Sequence, residues 1–221
     1  MIQKTELHIL NGMEMYRYFK ETHFLETELM IPFNEAMCYG NTCEDLFSDE
    51  FIEIRAKVHN VTPAQYTEVT LCPLQPLFCS EVFNRIALWF DEDMFCQINL
   101  LTILAWLDQA NYKGTIDLQI VGDNFQPVDY YVLKAKGYYS LYKQVVIHKI
   151  VPQNVHPRPL GKGIELYLTY LNKDSDLMLY IQRHKDFTTK ELVAVLIEKF
   201  QDLGLADTQY LEIIKSQQKN V

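Results

Sequence analysis

The apolar positions change period along the chain, and that period separates strand from helix. "TELHIL", residues 5–10, predicts a short strand, and Asn11-Gly12 a turn. "MEMYRYFKETH" has helical spacing, with Met15, Tyr18 and Phe19 on one side. "TELMIPF", residues 27–33, predicts a second strand, and a loop rich in turn formers follows around Gly40-Asn41. Residues 48–60 read as a helix capped by Ser48, with Asp49 and Glu50 at the positive end of its dipole. Residues 62–71 carry a start signal: Thr62 as cap, Pro63 at the first helical position and Gln65 completing a capping box. Pro73 and Pro76 should stop that helix.

"IALWF" (86–90) then predicts a strand, and "MFCQINLLTILAWLDQA" (94–110) a helix closed by Gly114. This helix is apolar around most of its circumference, so it must be packed on more than one side. "TIDLQIV" (115–121) predicts a strand and "VDYYVL" (128–133) a further one. Strands alternating with helices predict an α/β fold, a Rossmann-like, mainly parallel sheet with helices on both faces, over residues 1–127. Residues 128–221 read as a mostly helical C-terminal region: helix over 137–149, a Pro- and Gly-rich connector near 151–163, then consecutive helices. Thr188 or Thr189 and Asp207 stand where caps belong, Gly204 stops a helix, and the last residues should fray.

This layout turns local residues into a candidate site. Ligands of open parallel sheets bind outside the carboxyl ends of the strands, where strand order reverses. Asn11 and Gly12 follow the first strand directly. Asp91, Glu92 and Asp93 follow the strand 86–90, and Gln97 lies one helical turn beyond Asp93. Glu35 comes just after the second strand, Arg55 can neutralise Glu35 or Asp93, and His8 sits inside the first strand. The expected ligand-binding set is His8, Asn11, Gly12, Glu35, Arg55, Asp93 and Gln97. Plainer roles compete for the same residues. Asp91 or Asp93 can cap a helix, Gln97 can satisfy a neighbouring loop, His8 can be structural, and Glu35–Arg55 can be an ordinary ion pair.

Composition narrows the chemistry. The 221-residue chain is 48% hydrophobic and 22% charged, enough for a sizeable core. The net charge of −9 is uneven: residues 1–130 hold 7 Lys+Arg against 20 Asp+Glu, and the remainder holds 13 against 9. An acidic first part repels nucleic-acid backbones and anionic membranes. A carboxylate-rich pocket with one arginine suits hydroxyls, amino groups, bases or hydrated magnesium better than a free polyphosphate. The glycine fingerprint of dinucleotide binding, a Walker motif, a Ser-His-Asp elbow and a Cys-His signature are all lacking, so no cofactor is named and the reaction stays open. Cys38, Cys43, Cys72, Cys79 and Cys96 form no Cys-x-x-Cys pair, which argues for reduced thiols and against a structural metal. The N-terminus lacks the regions of a signal peptide, and no apolar run is long enough to span a bilayer, so the expected location is the cytoplasm.

Four stretches, "HILNGM" (8–13), "FNEAMCYGN" (33–41), Arg55 and "LWFDEDMFCQINLL" (88–101), resemble a bacterial domain-of-unknown-function family. Its motifs run HI-x-N-G-D, W-R-E-x-L-x-x-G-P and L-W-F-E-x-D-x-F-x-Q-x-N-L-L. The last match is long and fairly specific, and the likeness covers roughly residues 5–122. Met13 stands where the family has Asp, and Asn41 where it has Pro, which puts any activity that uses that Asp in doubt. Members often carry an AraC-type regulator label. The thin positive charge of residues 158–221 gives that label little support. The leading expectation is a ligand-binding protein, or an enzyme of unknown reaction, that takes a small polar, nucleotide-like ligand at the sheet's carboxyl edge. DNA-binding regulation through the C-terminal helices and a non-catalytic homodimeric module stay open as alternatives.

Overall fold

The structure, a computed structural model, describes residues 6–219. Thr5, expected to open the first strand, and the final Asn220 and Val221 lie outside the described residues. Five strands form one sheet: β1 (Glu6–Leu10), β2 (Leu29–Pro32), β3 (Arg85–Asp91), β4 (Thr115–Val121) and β5 (Pro127–Leu133). Their order is β2-β1-β3-β4-β5, with the first four parallel and β5 antiparallel to β4. The fold is α/β and Rossmann-like. Strand order reverses between β1 and β3, which pair through Leu10 and Trp89 at their carboxyl ends.

The period-2 alternation of the strands divides the sheet into two faces. Leu7, Ile9, Ile86, Leu88, Phe90, Ile116, Leu118 and Ile120 point to one face and are fully buried. That face carries α2 (Asp49–Val58), α3 (Pro63–Tyr66, continued by a π turn, Thr67–Leu71), α4 (Gln75–Phe78) and α5 (Met94–Gln109). The other face is thinly covered. Met15 and Phe19 of α1 (Met13–Glu21) pack there on Leu10, Met30, Ala87, Trp89 and Val121.

Three caps form as the sequence predicts. Ser48 accepts from the Phe51 N–H, and full capping boxes join Thr62 to Gln65 and Thr188 to Glu191. Each satisfies backbone donors that a helix start leaves free. The end of α5 differs from expectation. It stops at Gln109, and Asn111 adopts φ +59° while the Tyr112 N–H reaches the Leu107 carbonyl. That is a Schellman-type closure with asparagine in the left-handed position, so Gly114 is not the terminator.

The C-terminal region contains α6 (Tyr138–Tyr142, continued by a π turn, Lys143–Ile147), α7 (Arg158–Tyr170), α8 (Asp176–Arg183), α9 (Thr189–Lys199) and α10 (Asp207–Lys219). The expected connector is overturned in its second half, because α7 begins at Arg158 and runs through Gly161 and Gly163. Glycine disfavours a helix interior, but here contact decides: a Cβ on Gly163 would overlap the Gln97 side chain of α5. Both α6 and α7 pack along α5, so one continuous apolar core links sheet and C-terminal helices. No helix of the described residues is long and apolar enough to cross a membrane.

Candidate functional site

The handover from β3 to α5 sits at the carboxyl edge beside β1. Asp93 is the N-cap of α5: its Oδ1 accepts from the Cys96 N–H at 2.7 Å, and its Oδ2 accepts from the Cys96 thiol at 3.3 Å. Gln97 is fully buried and donates through Nε2 to the Asp91 carbonyl at 2.6 Å, while its Oε1 has no partner among the described residues. The C-terminal region lies directly over both residues. Gly163 of α7 abuts Gln97, and Gly204, at φ +64° after the 3-10 turn Gln201–Leu203, abuts the Asp93 carboxylate. Burial pushes the Asp93 carboxyl up to about 6, and the neighbouring Asp91 charge adds to it. Burial also raises Asp91, whose Oδ1 accepts from the Glu92 N–H.

Asn11 joins this group from the β1 end. Its amide donates to Cys96 Sγ at 2.8 Å, and its Oδ1 accepts from Asn99 Nδ2 at 3.0 Å. Asn99 also donates to the Glu35 carbonyl at 2.6 Å and accepts from the Met37 N–H at 2.9 Å. This buried amide therefore ties the ends of β1 and β2 to α5. Next to Asn11, Gly12 has φ +93°, a backbone conformation open to glycine at little cost. It begins α1 without a side-chain cap, and apart from its chain neighbours no atom of the described residues lies within 4 Å of where its Cβ would stand.

Glu35 and Arg55 form a second cluster. Arg55 is fully buried and grips the carboxylate with two donors, Nε at 3.2 Å and Nη2 at 2.7 Å. It also donates to the carbonyls of Ala36, Tyr39 and Asn41, which fixes the loop after β2. His59 Nε2 stands 2.6 Å from Glu35 Oε1, and the Tyr66 hydroxyl donates to Oε2. Burial by itself would raise the Glu35 carboxyl. The His59 bond and the charge and bonds of Arg55 outweigh it and hold the group at about 2. Arg55 thus neutralises Glu35, and a cap and a thiol engage Asp93.

His8 stands apart on the α1 face, where Trp89 Nε1 donates to its Nδ1 at 3.1 Å. Burial lowers its pKa, which favours the neutral ring, and its Nε2 is sealed without a hydrogen-bond partner among the described residues, 3.7 Å from a Glu6 oxygen. The expected seven residues therefore separate. Asn11, Gly12, Asp93 and Gln97 gather at the β1–β3 edge, Glu35 and Arg55 lock a loop and reach that edge through Asn99, and His8 lies across the sheet. Asn99, Cys96, His59 and Tyr66 belong to these networks and were not in the expected set. Asn99 carried a readable signal, since an amide within an apolar helix needs a partner as much as Gln97 does. His59 and Tyr66 carried none. Among the described residues, no group of three or more His, Cys, Asp or Glu side chains could hold a metal ion.

No protein-family model matches the chain, and neither does a curated protein or a solved structure.

Two substitutions separate structural from ligand roles. Glu35→Gln leaves the Arg55 charge buried without its partner, and should cost roughly 3–5 kcal/mol in urea unfolding. The double variant Glu35→Gln/Arg55→Met should cost clearly less than the sum of the two single changes. Asp93 titrates in the opposite sense. Its raised pKa means the folded protein holds a proton that the unfolded chain releases. Stability present below the ordinary aspartate range is therefore lost as pH rises through about 6. Asp93→Asn keeps a capping oxygen and removes the charge, so it should stabilise the protein by roughly 1–3 kcal/mol at neutral pH. The gain should vanish in acid, as read by melting temperature against pH.

Proposed function

We propose that the protein binds a small polar ligand, nucleoside-like in presenting hydrogen-bond donors and acceptors side by side, at the carboxyl edge between β1 and β3. The observation that carries this reading is Gly12. There α1 starts uncapped, with open space before it, at the point where strand order reverses. The first-turn N–H groups of α1 can receive a hydroxyl or carbonyl oxygen of the ligand. Asp91, at the end of the strand that pairs with β1, disfavours a free phosphate and suits amino or hydroxyl donors. Asn11, held by Cys96 and Asn99, forms a fixed wall. Kinship with the bacterial family named above is part of the proposal and rests on the quoted motifs. A cytoplasmic setting is too, and five free cysteines accord with it. Thermal shift with adenosine, guanosine, cytidine and uridine tests the reading. At least one should raise the melting temperature, and Gly12→Val, which fills the space, should abolish the rise. A rise of equal size in Gly12→Val, or none with any nucleoside, removes the ligand from this edge.

A second reading, self-association through β5, has one observation in its favour. β5 is an edge strand, and its Val128, Tyr130 and Val132 are 64%, 48% and 58% exposed. Apolar edges of this kind are ready templates for pairing with a second copy. Light scattering should then report a dimer that Val132→Lys converts to monomer, and a monomeric parent protein at high concentration would end this reading. Nothing comparable favours DNA binding. The exposed side of α9 mixes Lys190 and Lys199 with Glu191 and Glu198, which leaves it without net positive charge.

A further inference from the structure

A hollow of about 520 Å³ opens at the opposite end of the sheet, where the chain enters β3 and β4. Its volume lies within the usual range for small-molecule sites. Aromatic side chains make much of its wall, namely Phe78, Phe83, Trp106 and Tyr112. Its polar side chains include Ser80, Glu81, Asn84 and Lys113. The wall is fastened. Tyr112 donates its hydroxyl to the Phe83 carbonyl at 3.1 Å, and the Thr115 N–H donates to the Asn84 carbonyl at 3.0 Å. Trp106 packs against Phe78 with ring centres 5.5 Å apart.

The geometry points to a binding site for a neutral saccharide in this hollow. Three observations carry the inference. First, Ser80 is only 4% exposed, yet its hydroxyl has no hydrogen-bond partner among the described residues and is not sealed from solvent. Nor has the Trp106 indole N–H a partner there, and it too reaches solvent. Both groups face the hollow's solvent, so a ligand entering it can take the place of water on each of them. Second, the charged rim balances: Glu81 and Lys113 cancel, so neither an ammonium nor a phosphate is favoured. Third, aromatic side chains next to free donors and acceptors match a ring that is apolar on its face and hydroxylated around its edge. A pyranose has that form. The Trp106 face would receive the C–H side of the sugar, and Ser80, Glu81 and Asn84 would exchange hydrogen bonds with its hydroxyls. This site lies away from Gly12 and does not depend on the reading of the carboxyl edge.

Fluorescence supplies the test, because the chain has 2 Trp and Trp89 is buried elsewhere. In Trp89→Phe, emission reports Trp106 alone. Titration with glucose, N-acetylglucosamine and maltose should give a saturable change with at least one sugar. Ser80→Ala and Asn84→Ala should each weaken it by about tenfold. Circular dichroism of each variant guards against misfolding. The inference is overturned if no sugar gives a saturable change. It also fails if tetramethylammonium or inorganic phosphate does so in place of sugars, or if both rim variants bind as the parent does.

Discussion

The fold is organised by α5, a helix that must be buried on all sides. Its residues from Gln97 to Ala105 are essentially sealed from solvent, and among them are Gln97, Asn99 and Thr102. A helix placed between a sheet and a second helical layer cannot leave polar groups to water, so each must be met by protein. Thr102 turns back to the Ile98 carbonyl within its own helix. Gln97 and Asn99 reach instead to the ends of strands: Gln97 to Asp91 of β3, Asn99 to Asn11 after β1 and to Glu35 after β2. Burying α5 therefore fixes where three parallel strands end and how their loops leave the sheet.

That requirement explains why polar residues crowd the carboxyl edge. Asp93 closes the helix start, and Gln97 and Asn99 tie down loops. Glu35, brought in by Asn99, needs a cation in turn. Arg55 meets it and spends its remaining donors on the carbonyls of the loop after β2. A buried ion pair adds little net stability relative to an apolar pair, but it specifies one arrangement, because any other leaves a charge unmatched. The carboxyl edge next to Gly12 is thus held by a rigid frame.

Much of this was legible in the chain. The five strands, the mainly parallel sheet and the caps at Ser48, Thr62 and Thr188 follow from local rules that tertiary contacts did not override. The failures have a common cause. Gly161 and Gly163 marked a connector by propensity, yet they are helical because α7 must approach Gln97 closely. Asn111 ends α5 although Gly114 looked the better terminator, because a Schellman closure is set by the carbonyls at Leu107 and Asp108. His59 and Tyr66 joined Glu35 only through folding, and no spacing in the sequence brings them near it. Asp93 and Gln97 were correctly placed at the edge, but the layer that covers them comes from residues far along the chain.

The two glycines at that layer show how the C-terminal region finds its seat. Gly163 admits the Gln97 side chain, and Gly204 admits the Asp93 carboxylate. Both contacts join a position without a side chain to a polar side chain already committed to α5. Any sliding of α7 by one residue would set Gly163 off Gln97 and bring a neighbour with a Cβ against it. The overlap would be immediate, since packed interiors have little slack. Gly204 acts in the same way after the 3-10 turn Gln201–Leu203, and its left-handed backbone also supplies the turn that leads to α10. The first part of the chain therefore presents two fixed protrusions, and the second part presents two gaps. The domain division suggested by the change in sequence pattern is bridged by a shape match that specifies register, and the raised carboxyl of Asp93 is the electrostatic cost of that match.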